Sequence, residues 1–202
     1  MIRAVVFDLD DTLFPEAAYV ASGFRAVGEA LAAAGARGDV LDEALRQSGI
    51  ASAVSWCVAR YREHRPDITL FPEALEVLEY LRGKVKTGLL TDGRLVAQKS
   101  KVAALGPATR VDAVVYSDSF GRENWKPSAV PYRAVAEALG VAHDARVYVA
   151  DNPQKDFITA RNLRWRTIQS ARPGQTHTAA PPSAAHATDL RAALAVLAGW
   201  MG

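Results

Sequence analysis

The hydrophobic pattern of the first part of the chain predicts a strand and then a helix. Residues 2–9 form an almost continuous apolar run rich in β-branched side chains, which is typical of a buried parallel strand. From Val20 to Leu31, apolar side chains recur every three or four residues, the spacing of one face of an amphipathic helix. We therefore expect a strand over 2–9 and a helix over 16–34.

The pattern of residues 16–71 predicts helices and no strand. After the first helix, we expect helices over 39–48 and 52–64, with Asp39 and Ser52 as their N-cap residues. A stretch of about 55 residues is longer than an ordinary connection between elements of one sheet. It is therefore expected to be a small all-helical insert that projects from the carboxyl edge of the sheet and covers what the strand ends hold.

From Pro72 onward, predicted helices and strands alternate. The expected helices cover 72–81, 94–105, 128–139, a short segment from Pro153 and 189–199, and the expected strands cover 84–90, 111–116, 146–150 and 165–169. Strands that alternate with helices pair in parallel through right-handed crossovers. The expected fold class is therefore α/β, a doubly wound, Rossmann-like parallel sheet formed by a core domain of 1–15 and 72–202, with 16–71 inserted after the first strand.

Composition and charge narrow the class of protein. Half of the 202 residues are apolar and under a quarter are charged, which is typical of a globular core. The net charge of +2 is too small to favour nucleic acid or an anionic membrane as a partner. Apolar stretches stay shorter than the roughly 20 residues of a membrane span, and the first residues lack the cleavage pattern of a signal peptide. The default expectation is a cytoplasmic protein, either a monomer or a homodimer.

Several residues that carry chemistry in other proteins are expected to be ordinary here. Cys57 lies at helical spacing from apolar neighbours and is expected to be a buried thiol. The four histidines share no metal-ligand spacing and are expected at the surface; they are His64, His143, His177 and His186. Residues 170–187 lack periodicity and are expected to form an irregular surface segment before the last helix.

Polar side chains occur where the predicted strands end. They are Asp8 and Asp10 after the first strand, Thr91 after the second, Lys126 directly before a helix, and Asp151 with Asp156 after a later strand. The carboxyl ends of the strands of an open α/β sheet meet at one crevice, so these side chains are expected to converge there. Asp8 and Asp10 are two residues apart, so in extended chain their carboxylates point to the same side.

Such a cluster suits phosphoryl transfer. Carboxylates this close repel one another unless a cation lies among them. Oxygen ligands without His or Cys favour a hard ion, and Mg²⁺ binds a few carboxylates together with a substrate phosphate. A lysine and a threonine beside that ion supply positive charge and a hydrogen-bond donor for the phosphoryl group. One carboxylate can attack phosphorus, and a second can protonate the leaving group and activate water.

The four polar blocks resemble the motifs of the haloacid dehalogenase-like (HAD) hydrolase superfamily. Asp8-Leu9-Asp10-Asp11-Thr12 is similar to its DxDxT signature, Thr91 to its second motif, Lys126 to its third, and Asp151 with Asp156 to its fourth. Four ordered motifs across nearly the whole chain are far more specific than DxDxT alone. The resemblance implies the phosphatase branch, since the dehalogenating branch lacks an acid at the position of Asp10. It also implies that 16–71 is a C1-type helical cap.

The resemblance implies roles for the acids. Asp8 would be the nucleophile and a Mg²⁺ ligand, and Asp10 would be the general acid and base, with its backbone carbonyl on the metal. Asp151 would ligate Mg²⁺, while Asp156 would either ligate it through water or orient Lys126. The family has a glycine before the aspartate of the fourth motif, where this chain has Ala150.

Thr91 and Lys126 would hold the phosphoryl group and stabilise the transition state. Arg94 flanks the predicted site and is expected to contact the substrate. Asp92 is expected to belong to a turn, and Asp11 is given no role. On the insert, a basic stretch around Arg62 would either grip an anionic substrate or form a solvated face.

The expected function is therefore a Mg²⁺-dependent phosphatase that forms an aspartyl-phosphate on Asp8. Its partner would be a small phosphorylated metabolite, with a sugar phosphate or a nucleotide as the first expectation. A phosphomutase would use the same intermediate and stays open. A catalytically silent binding or scaffold domain is the alternative from another class, although every motif residue is present here.

Overall fold

The computed structural model describes residues 1–33, 53–106, 110–174, 177 and 183–202. The strands in these ranges are β1 (Ala4–Phe7), β2 (Lys86–Thr91), β3 (Ala113–Tyr116), β4 (Arg146–Ala150), β5 (Arg166–Ser170) and β6 (Ala185–Ala187). The helices are α1 (Glu16–Ala33), α2 (53–63), α3 (Pro72–Leu81), α4 (Leu95–Leu105), α5 (Ala129–Leu139), α6 (Pro153–Asn162) and α7 (Leu190–Met201). None of these helices combines the length and the apolar character that crossing a membrane requires.

Six strands of the described residues form one parallel sheet in the order β3-β2-β1-β4-β5-β6. The central strand β1 pairs with β2 on one side and β4 on the other, and Val6 lies opposite Gly88 and Tyr148. The strand order reverses between β1 and β4, and such a reversal opens a crevice at the carboxyl ends of the two strands. The predicted doubly wound α/β sheet is confirmed.

Side chains of β1 alternate between two apolar cores. Val5 and Phe7 pack with α3, α4 and α7 on one face of the sheet, while Ala4 and Val6 pack with α5 and α6 on the other face. All four side chains are fully buried. A strand covered on both faces requires apolar residues at every position, which explains the continuous run in the sequence.

Local sequence signals place the ends of several helices. Asn152 caps α6 by accepting the backbone N–H of Gln154, and Pro153 occupies the first turn, where a missing N–H costs nothing. Asp189 caps α7 in the same way, by accepting from Ala192. Gly140 ends α5 in the left-handed region at φ 62°. These ends lie within two residues of those predicted from the sequence.

The segment 16–71 starts and finishes close together at the core. The backbone N–H of Phe71 donates to the carbonyl of Leu13 at 2.9 Å, so the outgoing and returning chains are joined at this point. Between them, the described residues form α1 and α2, and the predicted helix over 39–48 lies outside the described residues.

His64, which was expected at the surface, is buried with 8% of its area exposed. Its Nδ1 donates to the carbonyl of Tyr61 at 2.6 Å, and its Nε2 accepts from the hydroxyl of Ser22 at 3.1 Å. The same hydroxyl accepts the N–H of Asp67 at 2.9 Å. The surface prediction is therefore wrong for His64, because this ring joins α1 to the end of α2.

The prediction of an irregular segment over 170–187 is wrong for its last residues. Ala185–Ala187 forms β6 and pairs in parallel with β5, with Gln169 opposite His186. Three residues with small or polar side chains carry too little hydrophobic pattern to predict a strand, and the pairing comes from the neighbouring edge of β5.

Candidate active site

Four of the residues predicted from the sequence meet at the crevice between β1 and β4. Asp8 follows β1, and its backbone N–H continues the pairing with β4 by donating to Val149 at 2.9 Å. Asp151 follows β4, and Asp156 lies in the first turn of α6. Lys126 reaches the same place from the loop before α5 and is buried, like the three acids.

Lys126 connects two of the acids. Its Nζ donates to Asp8 Oδ1 at 2.6 Å, to Asp156 Oδ1 at 2.7 Å and to the Tyr148 hydroxyl at 3.0 Å. All three donors of the ammonium group are thereby used. Burial alone would lower the pKa of Lys126, but the charges of Asp156 and Asp8 outweigh it and raise the pKa well above its ordinary value. The side chain is therefore a fixed positive charge.

The loop that carries Lys126 is held by a residue that the sequence placed in a turn. Both carboxylate oxygens of Asp92 accept the backbone N–H of Lys126 at 3.1 Å. The helix that follows this loop, α5, contacts the cluster as well: the hydroxyl of Tyr132 donates to the carbonyl of Asp156 at 2.7 Å. The contact with the backbone of Lys126, 34 residues away, gives the Asp92 carboxylate a structural part that the turn prediction did not include.

The three acids present a donor set for a hard cation. Within the described part of the chain, Asp8 Oδ2, Asp151 Oδ1 and Asp156 Oδ2 are buried and have no hydrogen-bond partner. One carboxylate oxygen of each residue lies within 4.8 Å of the other two. Three buried carboxylates this close together, each with an oxygen that lacks a donor, match the all-oxygen coordination of Mg²⁺. The residues present therefore fit this ion.

The pKa values of the three acids also favour a cation among them. Burial acts to raise the pKa of Asp8, but Lys126 and Lys155 outweigh it and the pKa is lowered. Burial raises the pKa of Asp151 to about 8, and the charges of Asp8 and Asp156 add to the effect. Burial also raises the pKa of Asp156 to about 6, against the opposing charge of Lys126. Burial and the repulsion among the carboxylates thus disfavour the ionised form of Asp151 and Asp156, and a divalent cation among the three acids would offset both effects.

The carboxylate of Asp10 lies against α4 rather than in this cluster. Lys101 Nζ donates to Asp10 Oδ1 at 2.7 Å, and Gln98 Nε2 donates to Asp10 Oδ2 at 3.1 Å. Burial raises the pKa of Asp10, and the charge of Lys101 only partly opposes this. A raised pKa favours the protonated form that a general acid needs.

Sequence reasoning missed Gln98 and Lys101. Both lie one turn apart on the inward face of α4, where the neighbouring inward positions are Ala97, Val102 and Leu105. Polar side chains at helix positions that should be apolar are the signal that would have identified them.

Thr91 ends β2 and has only 1% of its area exposed. Its hydroxyl donates to Gln98 Oε1 at 2.8 Å, and its carbonyl accepts from the Ser117 hydroxyl at 3.2 Å. The described contacts therefore connect Thr91 to Asp10 through Gln98.

Arg94 is exposed at the start of α4, outside the acidic cluster. It lines a cleft of about 420 Å³ together with Arg62 and Glu63 of α2 and with Asp118. Asp118 accepts the indole N–H of Trp125 at 2.9 Å. The cleft lies between the helical segment and the sheet domain, and its lining includes two arginines and two acids.

His177, which was expected to be an ordinary surface residue, contacts the cluster. Its Nε2 lies 3.4 Å from Asp151 Oδ2, and its side chain is 39% exposed. Gln169 Nε2 donates to the carbonyls of both Asp151 and His177 at 3.3 Å. The order of strands brings the two residues together, although they are far apart in the sequence.

Comparison with known families gives one match that covers most of the chain. Residues 5–169 match the haloacid dehalogenase-like hydrolase family. Two curated relatives are glyceraldehyde 3-phosphate phosphatases, from Methanocaldococcus jannaschii (25% identical, covering 84% of this chain and 85% of the relative) and from Methanopyrus kandleri (28% identical, covering 85% of each). A phosphoserine phosphatase from Thermus thermophilus is 38% identical over 64% of this chain and 52% of its own length.

Solved structures with the same fold cover almost the whole chain. A 2-haloacid dehalogenase from Pseudomonas syringae superposes with a TM-score of 0.77 at 24% identity, covering 99% of this chain and 100% of its own. A HAD phosphatase from Thermococcus onnurineus superposes with a TM-score of 0.70 at 20% identity, covering 98% and 99%. At these identities the likeness concerns the fold.

Proposed function

The chain belongs to the haloacid dehalogenase-like hydrolase family, and from this premise we propose that it is a Mg²⁺-dependent phosphatase of a small phosphorylated metabolite. The proposed intermediate is an aspartyl-phosphate on Asp8. The observation that carries the proposal is the state of the Asp8 carboxylate, which is buried, has a lowered pKa, and has one oxygen held by Lys126 while the other has no hydrogen-bond partner among the described residues.

Asp8 is the proposed nucleophile. One of its oxygens forms a bond to phosphorus while the bond from phosphorus to the ester oxygen of the substrate breaks. The lowered pKa keeps the carboxylate ionised at neutral pH. The ammonium group of Lys126 lies 2.6 Å from Asp8 Oδ1, where it offsets the negative charge of a phosphoryl group bound to this residue.

Asp10 is the proposed general acid and base. It gives its proton to the departing ester oxygen, then takes a proton from the water that attacks phosphorus and releases Asp8. Its raised pKa supports the first of these steps. Thr91 is the proposed second contact for the phosphoryl oxygens, because its hydroxyl lies at the end of β2 beside the Asp10 network.

Asp8, Asp151 and Asp156 are the proposed residues for Mg²⁺, together with the backbone carbonyl of Asp10. When bound, the ion supplies positive charge against the phosphoryl oxygens and the acids. The support for this assignment is that each of the three buried carboxylates has an oxygen without a hydrogen-bond partner among the described residues, and that the three lie close together.

We propose that 16–71 is a cap over the crevice and that 1–15 and 72–202 form the core. The cleft that Arg62 and Arg94 line together with two acids supports a substrate that carries a second polar group beside its phosphate. The names of the curated relatives, glyceraldehyde 3-phosphate phosphatase and phosphoserine phosphatase, support starting with three-carbon phosphate esters. Sugar phosphates and nucleotides complete the panel.

The test is phosphate release from p-nitrophenyl phosphate, with Mg²⁺ and with a chelator. We expect Mg²⁺-dependent turnover by the wild type and its loss in Asp8→Asn, which keeps the side-chain shape but removes the nucleophilic charge. Asp11→Asn is the matched control, since Asn also tolerates the positive φ of 54° at this position. Unchanged turnover in Asp8→Asn would overturn the proposal. With a sugar phosphate as substrate, formation of an isomeric sugar phosphate without release of phosphate would indicate a mutase.

A further inference from the structure

Two buried polar side chains on α4 are not part of the motifs that define the site. Gln98 and Lys101 each have 3% of their area exposed. Burying an ammonium group is costly unless it is paired. A lysine and a glutamine on the inward face of a helix therefore require partners that justify their position.

Their common partner is Asp10. Each of its carboxylate oxygens accepts one hydrogen bond from α4, Oδ1 from Lys101 at 2.7 Å and Oδ2 from Gln98 at 3.1 Å. Two donors on two oxygens fix both the position and the rotation of the carboxylate. Gln98 also accepts from the hydroxyl of Thr91 at 2.8 Å, so its amide is itself held in place.

Lys101 has a second set of neighbours, on helix α1 of segment 16–71. Its Nζ lies 4.2 Å from the centre of the Tyr19 ring, within the range of a cation–π interaction, and 3.9 Å from Glu16 Oε1. The same ammonium group therefore contacts both the Asp10 carboxylate and the first turn of α1. A movement of α1 changes the surroundings of the group that holds Asp10.

We propose that Gln98 and Lys101 are positioning residues for Asp10, and that Lys101 couples the orientation of its carboxylate to helix α1. This inference rests on the proposed function, in which Asp10 protonates the departing ester oxygen. It adds two residues outside the four motifs, and it gives segment 16–71 a part in chemistry besides covering the site.

The test compares two substrates that differ in their need for an acid. Glycerol phosphate has a leaving group that requires a proton, whereas p-nitrophenolate leaves without one. We expect Lys101→Met to lower kcat/KM for glycerol phosphate by about 10- to 100-fold, and that for p-nitrophenyl phosphate by less than about threefold. Lys101→Arg, which keeps a cation, should recover part of the loss. Lys99→Met, on the exposed side of the same helix, is the matched control and should change neither value.

A double-mutant cycle separates positioning from a general loss of structure. If Lys101 acts through Asp10, Asp10→Asn with Lys101→Met loses no more activity than Asp10→Asn alone. Gln98→Met should show the same selectivity for the alkyl ester, which keeps the proposal testable if Lys101→Met does not fold. Tyr19→Leu should show it more weakly, through the contact with Lys101.

Several outcomes would overturn the inference. Equal losses on both esters in Lys101→Met and Gln98→Met would indicate a structural role only, as would losses that multiply in the double variant. If Tyr19→Leu lost equal kcat/KM on both esters, the proposed coupling of Asp10 to α1 through Lys101 would be wrong. If Asp10→Asn itself lacked leaving-group selectivity, the acid role in the proposed function would fail first, and this inference with it.

Discussion

Lys126 is the residue on which the acidic cluster most depends. Its buried ammonium group holds Asp8 and Asp156 at 2.6 and 2.7 Å, and Asp156 keeps its charge only against the cost of burial. Without Lys126, the repulsion among the three acids would have no fixed positive charge between Asp8 and Asp156. The sequence singled out this lysine only by its place among the motifs, whereas the contacts explain why it is buried.

We expect Lys126→Met to lower kcat by about 10²- to 10³-fold, because the proposed site of the phosphoryl group loses its fixed positive charge. The free energy of unfolding should fall by about 3–5 kcal/mol, since two buried carboxylates lose their partner. Urea denaturation and phosphate release measure the two effects. Lys86→Met is the control: its pair with Asp112 at 2.8 Å is largely exposed and should contribute less than about 1 kcal/mol. Wild-type stability in Lys126→Met would contradict this account of the pair.

His143 gives a prediction about pH and stability. Its Nδ1 accepts from the indole N–H of Trp165 and from Arg146 Nη1, both at 2.8 Å, so the ring must be neutral at this nitrogen. Partial burial lowers its pKa, and the charges of Arg146 and Arg133 add to this. The unfolded state then binds the proton more tightly than the folded state. The stabilisation of the folded state by the neutral His143 ring is therefore fully present above the unfolded pKa of about 6.5 and is lost as the pH falls below it.

Thermal unfolding at about pH 7.5 and about pH 5.5 tests this point across the range in which histidine titrates. His143→Gln keeps an acceptor but does not titrate. We expect the melting temperature of the wild type to fall more between the two pH values than that of the variant. Identical falls would show that protonation of His143 has no effect on stability.

At the scale of elements, the packing of α5 on the sheet depends on Gly88 of β2. A Cβ at this position would lie 3.0 Å from Val135 Cγ2 and 3.1 Å from Leu139 Cδ1, closer than side chains normally approach. Helix α5 follows directly after the loop that carries Lys126, so the distance between α5 and the sheet affects where this lysine lies. The absence of a side chain at Gly88 sets that distance.

We expect Gly88→Ala to lower the free energy of unfolding by about 1–3 kcal/mol through overpacking. Gly28→Ala is the matched control, because a Cβ on this residue of α1 meets nothing within 4 Å. There the same substitution should raise stability by about 0.5–1 kcal/mol through helix propensity. Denaturation curves of the two variants should therefore shift in opposite directions, and a stabilising Gly88→Ala would contradict the close packing of α5.

For the whole molecule, the alternation of apolar runs and helical spacing predicted the doubly wound sheet and the convergence of its strand ends. The convergence brought Asp8, Lys126, Asp151 and Asp156 together, although 118 residues separate Lys126 from Asp8. This part was predictable because the carboxyl ends of strands in such a sheet share one edge.

The remaining features depend on packing between distant segments, which the pattern of one segment does not contain. The three residues of β6 pair with β5 although their own sequence has little strand character. The contacts of Gln98 and Lys101 with Asp10 span 88 and 91 residues. His64 is buried because α1 lies beside the end of α2, which no spacing of histidines indicates.

The central claim is that Asp8 carries the phosphoryl group during turnover. The most direct measurement is mass spectrometry of acid-quenched Asp10→Asn after mixing with p-nitrophenyl phosphate and Mg²⁺. Because this leaving group needs no proton while the following hydrolysis needs a base, the intermediate should accumulate in this variant. We predict that the peptide containing Asp8 gains the mass of one phosphoryl group, and that Asp8→Asn in the same background abolishes the gain. Phosphate release by the wild type, with no adduct in Asp10→Asn or with one on a different residue, would contradict the account.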